Sequence, residues 1–202
     1  ELDERLVDKY FVNFSVFESI PDVWAIDQVF PIMPIARLDE RPERHGVIAD
    51  LTCDSDGRVD TYVQSQTLGH SLPLHALKQG ESYRRGVFMV GAYQDIMGDL
   101  HNLFGRVNEA HVFLEDDEAD GFYIEESIPG YSVERILGMI QYNAEDLCRM
   151  LKRQVDRATK ADSVRPREGV AMVDLYERLI RGRTYLIPHR EEAKAKKASK
   201  KK

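Results

Sequence analysis

The sequence has little cysteine and no long apolar run, and these absences exclude several kinds of protein. Its 202 residues include two cysteines, Cys53 and Cys148, and no Cys-x-x-Cys or Cys/His cluster, which argues against a zinc site and a disulfide framework. Its longest apolar stretches, such as GVFMVGAY (86–93), fall far short of the roughly 20 residues that cross a bilayer. We therefore predict no membrane segment and, from the unpaired cysteines, a cytoplasmic protein.

A secretory signal is also missing from the N-terminus. The first residues, ELDERLVDK, are charged and are not followed by the apolar run of a signal peptide. The sequence has no initiator Met, so we expect it to begin inside a longer protein or to have been trimmed. Since 43% of the residues are hydrophobic, the chain can build one domain of ordinary size and an appendage.

Basic charge is scarce outside the C-terminus. From Arg190 onward, six lysines and one arginine outweigh Glu191 and Glu192 by +5, so the other 189 residues carry −12 to give the net charge of −7. An acidic body argues against nucleic-acid binding, which needs a basic face. It suits a cationic ligand, although surface acid is also simply a solvated face. We expect the lysine-rich tail, 188–202, to be disordered.

Strand patterns come first along the chain and helical patterns follow. The segments that favour strands are 10–17, 46–52, 58–64 and 86–93, and the pair 110–115 and 121–128 flanks an acidic turn typical of a hairpin. Beyond the hairpin, apolar residues recur at helical spacing, with Ser132 and Asn143 as N-caps and a third helix at 167–181. We predict a mainly β fold with α: an antiparallel β-barrel or sandwich domain at 1–130, then a helical extension at 131–187.

The segment LTCDSDG (51–57) is the first candidate for chemistry. Cys53 and Asp54 follow a predicted strand, where side chains can be presented to a ligand; Asp54 can bind a cation, and Cys53 can donate or accept a proton. The alternative is a tight turn in which Asp serves the turn geometry and Gly57 takes positive φ. A calcium loop of the EF-hand type is rejected, because its twelfth position is Val63 where a bidentate Glu is required.

A second candidate segment holds Tyr93 together with Asp95, Asp99 and His101. A tyrosine hydroxyl at a strand end can donate a hydrogen bond to a phosphate. The other three residues alternatively suggest a metal-dependent hydrolase, or His101 is simply a structural histidine. Neither the G-x-x-x-x-G-K-[ST] phosphate loop nor the G-x-S-x-G nucleophile motif is present.

A third candidate is Asp27, which lies in an apolar segment beside Trp24, the single tryptophan of the chain. An acid in such surroundings needs a partner or a ligand. A helix cap or a structural ion pair is the alternative to a binding role.

In this order, the segments resemble the C-terminal region of bacterial biosynthetic arginine decarboxylases. The resemblance rests on KYFVNFSVFESIPDVWAIDQVFPIMPI (9–35), DLTCDSDG (50–57), GVFMVGAYQDIMGDLHNLFG (86–105) and RLIRGRTYL (178–186), and it extends from about residue 9 to 187. A more distant resemblance, through T-C-D and G-A-Y, links the sequence to ornithine and diaminopimelate decarboxylases, which share the alanine racemase-like fold (fold type III).

The resemblance implies a fold, a reaction and an assembly. In that family an N-terminal barrel of the TIM type holds pyridoxal 5′-phosphate (PLP) on a lysine, and a C-terminal β-domain of barrel or sandwich form packs beside it. The implied reaction converts L-arginine to agmatine and CO₂ in polyamine biosynthesis. The implied assembly is a homodimer or a dimer of dimers with the active site at the dimer interface. A magnesium requirement is also implied, but we assign it to no residue here.

The resemblance also implies roles for four residues. Cys53 is the active-site cysteine, near the α-carbon of the substrate, on a loop that enters the partner subunit's site. Asp54 binds the distal cationic group of the substrate across the interface, and Asp27 faces the same group. Tyr93 donates a hydrogen bond to the PLP phosphate.

The sequence departs from the family because it lacks the PLP barrel and any match to the cofactor-lysine motif. Lys9, Lys78, Lys152 and Lys160 all lie in polar surroundings. We therefore predict that this chain alone has no decarboxylase activity and depends on a barrel in the same chain or another. The alternative is an orphan, non-catalytic interaction module of the same fold.

Overall fold

The chain divides into two units, Glu1–Asn102 and Leu103–Lys202. The computed structural model describes residues 6–64 and 67–186. The tail predicted to be disordered, 188–202, lies outside the described residues, and the domain boundary at residue 130 stays a prediction. No helix among the described residues is long and apolar enough to span a membrane.

In the first unit, two short helices follow the first strand, and a third follows the last of the other seven strands. The strands are β1 (Asp8–Phe11), β2 (Ile32–Pro34), β3 (Arg44–Ala49), β4 (Arg58–Val59), β5 (Tyr62–Val63), β6 (Leu68–Gly69), β7 (Leu72–Leu74) and β8 (Arg85–Val87). The helices are α1 (Val16–Ser19), α2 (Pro21–Ala25) and α3 (Ala92–Met97), and a 3₁₀ turn follows at His101–Leu103.

Strand β3 lies at the centre of a four-stranded mixed sheet. It pairs in parallel with β1 and antiparallel with β4 and β7, whereas β2–β8 and β5–β6 form separate antiparallel pairs. Among the described residues no strands close into a barrel, so the predicted antiparallel barrel or sandwich is confirmed only as mixed sheet with helices. Antiparallel pairing is wrong for β1 and β3. The chain between them runs through α1, α2 and β2, a connection long enough to return the next strand in the same direction.

The core of this unit lies against the mixed sheet. Its buried members are Tyr10, Val16, Ile20, Phe30, Ile32, Ile48, Val59, Tyr62, Leu72 and Leu74. The hydroxyl of Tyr62 accepts a hydrogen bond from the Ile48 N–H at 2.8 Å and donates one to the Val59 carbonyl. Burial raises the pKa of Tyr62 to about 12, so the phenol stays neutral in the core.

Two apolar segments predicted as strands are strands only in part. In 10–17, β1 ends at Phe11 and Ser15 then caps α1, accepting the Glu18 N–H. In 86–93, β8 ends at Val87, and the prediction of a continuous buried strand is wrong. The next three residues are exposed, Met89 has a φ of 60°, and Tyr93 lies in α3. An apolar run favours burial, but its period alone does not fix the backbone.

The second unit contains the predicted hairpin and the three predicted helices. Its elements are β9 (Glu109–Leu114), β10 (Phe122–Ile128), α4 (Val133–Met139), α5 (Ala144–Lys160) and α6 (Pro166–Ile180). β9 and β10 pair antiparallel, with a register shift between Ile124 and Glu126. Both predicted caps are confirmed: Ser132 Oγ accepts the Arg135 N–H, and Asn143 Oδ1 accepts the Asp146 N–H.

Candidate functional site

A buried carboxylate organises the loop that carries Cys53 and Asp54. Asp50, 2% exposed, follows β3 directly and accepts the Val16 N–H at the start of α1 at 2.8 Å. Its other oxygen accepts both the N–H and the hydroxyl of Thr52, each at 2.7 Å. Asp50 therefore ties the loop to α1 on one side and to its own backbone on the other. Sequence reasoning missed this residue, although an acid directly after an apolar strand end is a signal that a polar partner is needed.

Gly57 closes the same loop. The Asp50 N–H donates to the Gly57 carbonyl at 2.7 Å, and the Gly57 N–H donates to the Asp54 carbonyl at 3.2 Å. A Cβ at position 57 would lie 2.3 Å from Asp50 Oδ1 and 2.4 Å from Thr52 Oγ1. Glycine is needed here because of this close approach. Gly57 does not use the positive φ that glycine allows, since the glycines with positive φ in the described part of the chain are Gly80 and Gly121.

Cys53 is an exposed, free cysteine of this loop. Its backbone N–H donates to Asn102 Oδ1 at 3.0 Å, a contact between residues 49 positions apart. The backbone of the cysteine is thus held while its thiol remains accessible.

Asp54 uses its two carboxylate oxygens differently. Oδ1 accepts the Asp56 N–H at 2.9 Å, so Asp54 does stabilise the turn, as the alternative interpretation predicts. Oδ2 lies 3.6 Å from His101 Nε2, too far for a hydrogen bond but close enough for an ion pair when the histidine is protonated. The His101 ring packs on buried Phe17, with 4.4 Å between the ring centroids. The turn and the functional interpretation are therefore compatible, because Oδ1 builds the turn and Oδ2 faces His101 without a hydrogen bond to it.

Asp27 lies in a polar cavity just beyond α2. It has a left-handed φ of 55°, which aspartate tolerates better than most residues. The cavity, about 240 Å³ in volume, is also lined by Trp24, Asp56, Arg58 and Asp60 among others. Within it Arg58 Nε donates to Asp60 Oδ2 at 2.7 Å.

The structure therefore brings Asp27 close to Asp56. Asp54 is not among the described residues that line this cavity. The two aspartates predicted to bind one group consequently lie in distinct local surroundings in this chain, one in the cavity and one beside His101.

Tyr93 is the second residue of α3 and is 76% exposed. The next residue, Gln94, is buried and exchanges two hydrogen bonds with Asp22: its Oε1 accepts the Asp22 N–H, and its Nε2 donates to the Asp22 carboxylate. Gln94 thereby fixes α3 against α2 and sets the position of Tyr93. The structure shows no hydrogen bond, in the described part of the chain, between Tyr93 and Cys53 or Asp54.

The metal-site alternative built on Asp95, Asp99 and His101 receives no support. Among residues 6–64 and 67–186 there is no group of three or more His, Cys, Asp or Glu side chains that could hold a metal ion. The Asp99 N–H donates to the Phe17 carbonyl at 2.9 Å, and His101 faces Phe17 and Asp54. These contacts give the segment a structural role around the Cys53 loop.

Known proteins similar to this chain decide its family. Residues 133–186, which contain α4 to α6, match the family described as arginine decarboxylase C-terminal helical extension. Biosynthetic arginine decarboxylase from Phocaeicola vulgatus is 46% identical over 92% of this chain, and the enzyme of that name from Xanthomonas campestris is 51% identical over 92%. The chain corresponds to the C-terminal region of the biosynthetic arginine decarboxylases.

A solved arginine decarboxylase has the same fold over most of this chain. The crystal structure of the biosynthetic arginine decarboxylase from Campylobacter jejuni superposes with a TM-score of 0.77 and 33% identity over 90% of this chain. This chain spans 29% of that structure, 29% of the Phocaeicola relative and 28% of the Xanthomonas relative. The likeness therefore concerns one portion of the arginine decarboxylases.

None of the lysines in the described part of this arginine decarboxylase region lies in a shielded pocket. Lys9, Lys152 and Lys160 are exposed on strand or helix surfaces. Lys78 is exposed too, with its Nζ 3.3 Å from Glu40 Oε1. Desolvation is one way to activate a lysine that forms a Schiff base, and exposure leaves these four without it.

Proposed function

We propose that this chain is part of an arginine decarboxylase, which converts L-arginine to agmatine and CO₂, and that it supplies Cys53 and Asp54 to a site completed by an N-terminal domain. The observation that carries the proposal is the similarity to biosynthetic arginine decarboxylases across 92% of the chain. Exposure of the Cys53 loop supports it, since a shared site requires an accessible loop. Polyamine biosynthesis in the cytoplasm is the proposed setting.

Asp54 and Asp27 are the proposed ligands of the substrate's distal group. A guanidinium is always charged and presents a planar fork of N–H donors, so carboxylates are its natural partners. Asp54 Oδ1 is occupied by the Asp56 N–H, which leaves Oδ2, the oxygen that faces His101, to accept from a guanidinium. Asp27 lines a cavity that also contains Asp56 and Arg58. Because Arg58 is paired with Asp60, the carboxylates of Asp27 and Asp56 are the proposed partners of a cation there.

Cys53 is the proposed proton donor to the α-carbon after CO₂ has left. A thiol performs this step when it lies within hydrogen-bond reach of the carbon and is shielded from water. In this chain the thiol is exposed, so the shielding has to come from another domain or subunit. We assign that role to a partner subunit in a homodimer or a dimer of dimers, in which the Cys53 loop enters the neighbouring site.

PLP is the proposed cofactor, and it serves as the electron sink that makes loss of CO₂ possible. The exposed Tyr93 hydroxyl is able to donate to its phosphate, and no atom lies within 4 Å of the Cβ position of Gly91 at the start of α3, so there is room for that group. The exposure of the four described lysines supports an attachment site outside this chain, and we assign it to an N-terminal barrel of the TIM type in the same or a separate chain. Magnesium, if the enzyme uses it, is assigned to no residue of this chain.

The sheet of the first unit offers surfaces for further packing in the proposed full enzyme. The mixed sheet of the first unit has open edges at β1 and β4 in the described residues. Unpaired strand edges and an apolar groove lined by residues such as Phe11, Ile35 and Leu77 offer surfaces for further packing. We propose that the unit forms a barrel or sandwich domain packed beside the PLP barrel.

The direct test joins this chain to the N-terminal portion of the Xanthomonas campestris relative, in place of that relative's own C-terminal region. PLP absorbance and a cooperative unfolding transition establish that the chimera is folded and loaded. We expect agmatine formation from L-arginine well above that of the N-terminal portion alone. A folded, PLP-loaded chimera that forms no agmatine contradicts the proposal and favours an orphan interaction module.

The isolated chain provides the complementary test. Because the described lysines are exposed and the chain spans 29% of the length of the Phocaeicola relative, we expect no agmatine from this chain with added PLP and arginine. Turnover above background, abolished by Cys53→Ala, would show that the chain carries a complete site. That result would refute the proposal that the site is shared with an N-terminal domain.

A further inference from the structure

A short segment after α3 contacts the Cys53 loop from outside that loop. Asn102 accepts the Cys53 N–H at 3.0 Å through its side-chain oxygen, and the neighbouring His101 lies 3.6 Å from Asp54. Two consecutive residues of the segment His101–Leu103 therefore contact the two loop residues that are assigned a function: His101 lies near Asp54, and Asn102 binds Cys53. Neither contact follows from the sequence, because the partners are far apart along the chain.

The segment is held in place independently of the loop it contacts. The Asp99 N–H donates to the Phe17 carbonyl at 2.9 Å, and the His101 ring packs on Phe17, which is 2% exposed. Gly98 makes this approach possible, since a Cβ there would lie 2.5 Å from the Glu18 carbonyl oxygen. Asn102 thus extends from a segment fixed to α1 and is able to hold a loop in a set position.

The backbone of Asn102 indicates why asparagine suits the position. Its φ of 54° and ψ of 23° lie in the left-handed region, which asparagine, aspartate and glycine adopt more readily than other residues. Of these, asparagine and aspartate carry a side-chain oxygen that can accept a hydrogen bond. Position 102 therefore combines a backbone requirement with an acceptor requirement.

We infer that Asn102 is a positioning residue that fixes the backbone of Cys53, so that the thiol is presented to the reacting carbon in one orientation. The inference rests on the proposed function of Cys53. The Cys53 loop is then held at two points, by Asp50 from within and by Asn102 from outside. A proton donor has to lie within hydrogen-bond reach of its target, and a displacement of about 1 Å can cost on the order of 100-fold in rate.

Two substitutions separate the acceptor from the backbone requirement. Asn102→Gly keeps the left-handed conformation and removes the acceptor, whereas Asn102→Asp keeps both. Amide hydrogen exchange at Cys53, followed by NMR on this chain, reports the hydrogen bond directly. We expect Asn102→Gly to accelerate exchange roughly fivefold or more, as loss of one hydrogen bond implies, and Asn102→Asp to retain protection. Equal exchange in the wild-type and Asn102→Gly chains overturns the inference.

Kinetics in the complete chimeric enzyme separate positioning from a merely structural role. We expect Asn102→Gly to lower kcat about tenfold or more while KM stays within about twofold, and Asn102→Asp to recover most of the rate. An unchanged kcat in Asn102→Gly, despite accelerated exchange, overturns the positioning role and leaves the proposed function intact. A wild-type chimera without activity contradicts the proposed function itself. It also contradicts the role of Asn102, which depends on that function.

Discussion

Position 57 shows at the scale of one residue how the Cys53 loop keeps its shape. A Cβ at Gly57 would lie 2.3 Å from Asp50 Oδ1, closer than real Cβ contacts come, and that oxygen belongs to a buried carboxylate. The side chain of Asp50 cannot move away without breaking its hydrogen bonds to Thr52 and Val16. Loop geometry and loop stability are therefore coupled at this glycine.

We predict that Gly57→Ala lowers the free energy of unfolding of the first unit by about 1–3 kcal/mol, the usual cost of overpacking. Urea unfolding followed by circular dichroism measures this. Gly138→Ala is the control, since no atom lies within 4 Å of a Cβ there and the residue lies inside α4, where alanine is favoured over glycine, and we expect it not to lower stability. Equal effects of the two substitutions contradict the packing argument.

The residues of the candidate site were predictable from sequence to different degrees. Cys53 and Asp54 stand out as reactive and charged side chains in a turn after a predicted strand, and the structure places them together on one loop. Asn102 was not predictable, because its contact with Cys53 depends on how α3 packs against α1. Local patterns indicate which side chains are presented; only tertiary packing shows what holds them.

At the scale of elements, helix α5 begins where its cap residue predicts. Asn143 Oδ1 accepts the Asp146 N–H at 3.0 Å, and Glu145 and Asp146 in the first turn add favourable interactions with the helix dipole. Arg157 and Lys160 complement the other end. The start of this helix follows from local chemistry, which is why sequence reasoning located it correctly.

We predict that Asn143→Ala lowers the free energy of unfolding of the second unit by about 1 kcal/mol, because an orphan N–H of the first turn loses its acceptor. Asn143→Ser is the control that keeps a capping oxygen, and it should recover most of the loss. Thermal unfolding monitored at 222 nm measures both. An Asn143→Ala chain as stable as the wild type refutes the capping role.

The β9–β10 hairpin carries a histidine between two glutamates. His111 Nε2 lies 2.7 Å from Glu109 Oε1, and its Nδ1 lies 3.7 Å from Glu126 Oε2 across the strands. The hydrogen bond to Glu109, with lesser contributions from Glu126 and Glu125, raises the pKa of His111 above its usual 6.5, while desolvation opposes the rise. The charged pairing thus supports the hairpin below the pKa of an unpaired histidine and is lost as the pH rises through the raised value.

We predict that Glu109→Gln lowers the pKa of His111, as measured by NMR titration of its ring protons. Glu115→Gln, a substitution at the hairpin turn, serves as the control and should leave that pKa nearly unchanged. An identical His111 titration in wild type and Glu109→Gln argues against the pairing.

Elements defined by apolar content alone were less predictable than elements with caps. The run 86–93 has the composition of a buried strand, yet Met89 is 85% exposed and the chain turns there with positive φ. Hydrophobic composition favours burial of a segment, but it does not identify the element or domain that packs against it. Elements whose ends carry specific polar signals were located well, and the long apolar run was not.

At the scale of the whole chain, helix α6 presents uncovered apolar side chains. Val170, Met172, Leu175 and Leu179 are each at least 47% exposed. Surfaces of this kind mark sites of protein–protein contact or of aggregation. We propose that in the full enzyme they pack on the barrel or at a subunit interface.

We predict that the isolated chain self-associates at micromolar concentrations, as measured by sedimentation velocity. The double substitution Leu175→Lys and Leu179→Lys should shift it towards monomer, and lysines at the exposed polar positions Arg153 and Asp156 should not. A monodisperse wild-type monomer contradicts the expectation.

The proposed function requires this chain to contribute a proton donor and a guanidinium ligand to a site that it does not complete alone. The most direct test compares kcat and KM for arginine in the chimera carrying Cys53→Ala or Asp54→Asn, where the asparagine keeps the acceptor for the Asp56 N–H. Cys53→Ala should lower kcat about 100-fold or more, and Asp54→Asn should raise KM about tenfold or more, as loss of a charged hydrogen bond implies. Wild-type kcat in the first variant together with wild-type KM in the second would show that neither Cys53 nor Asp54 has the role proposed here.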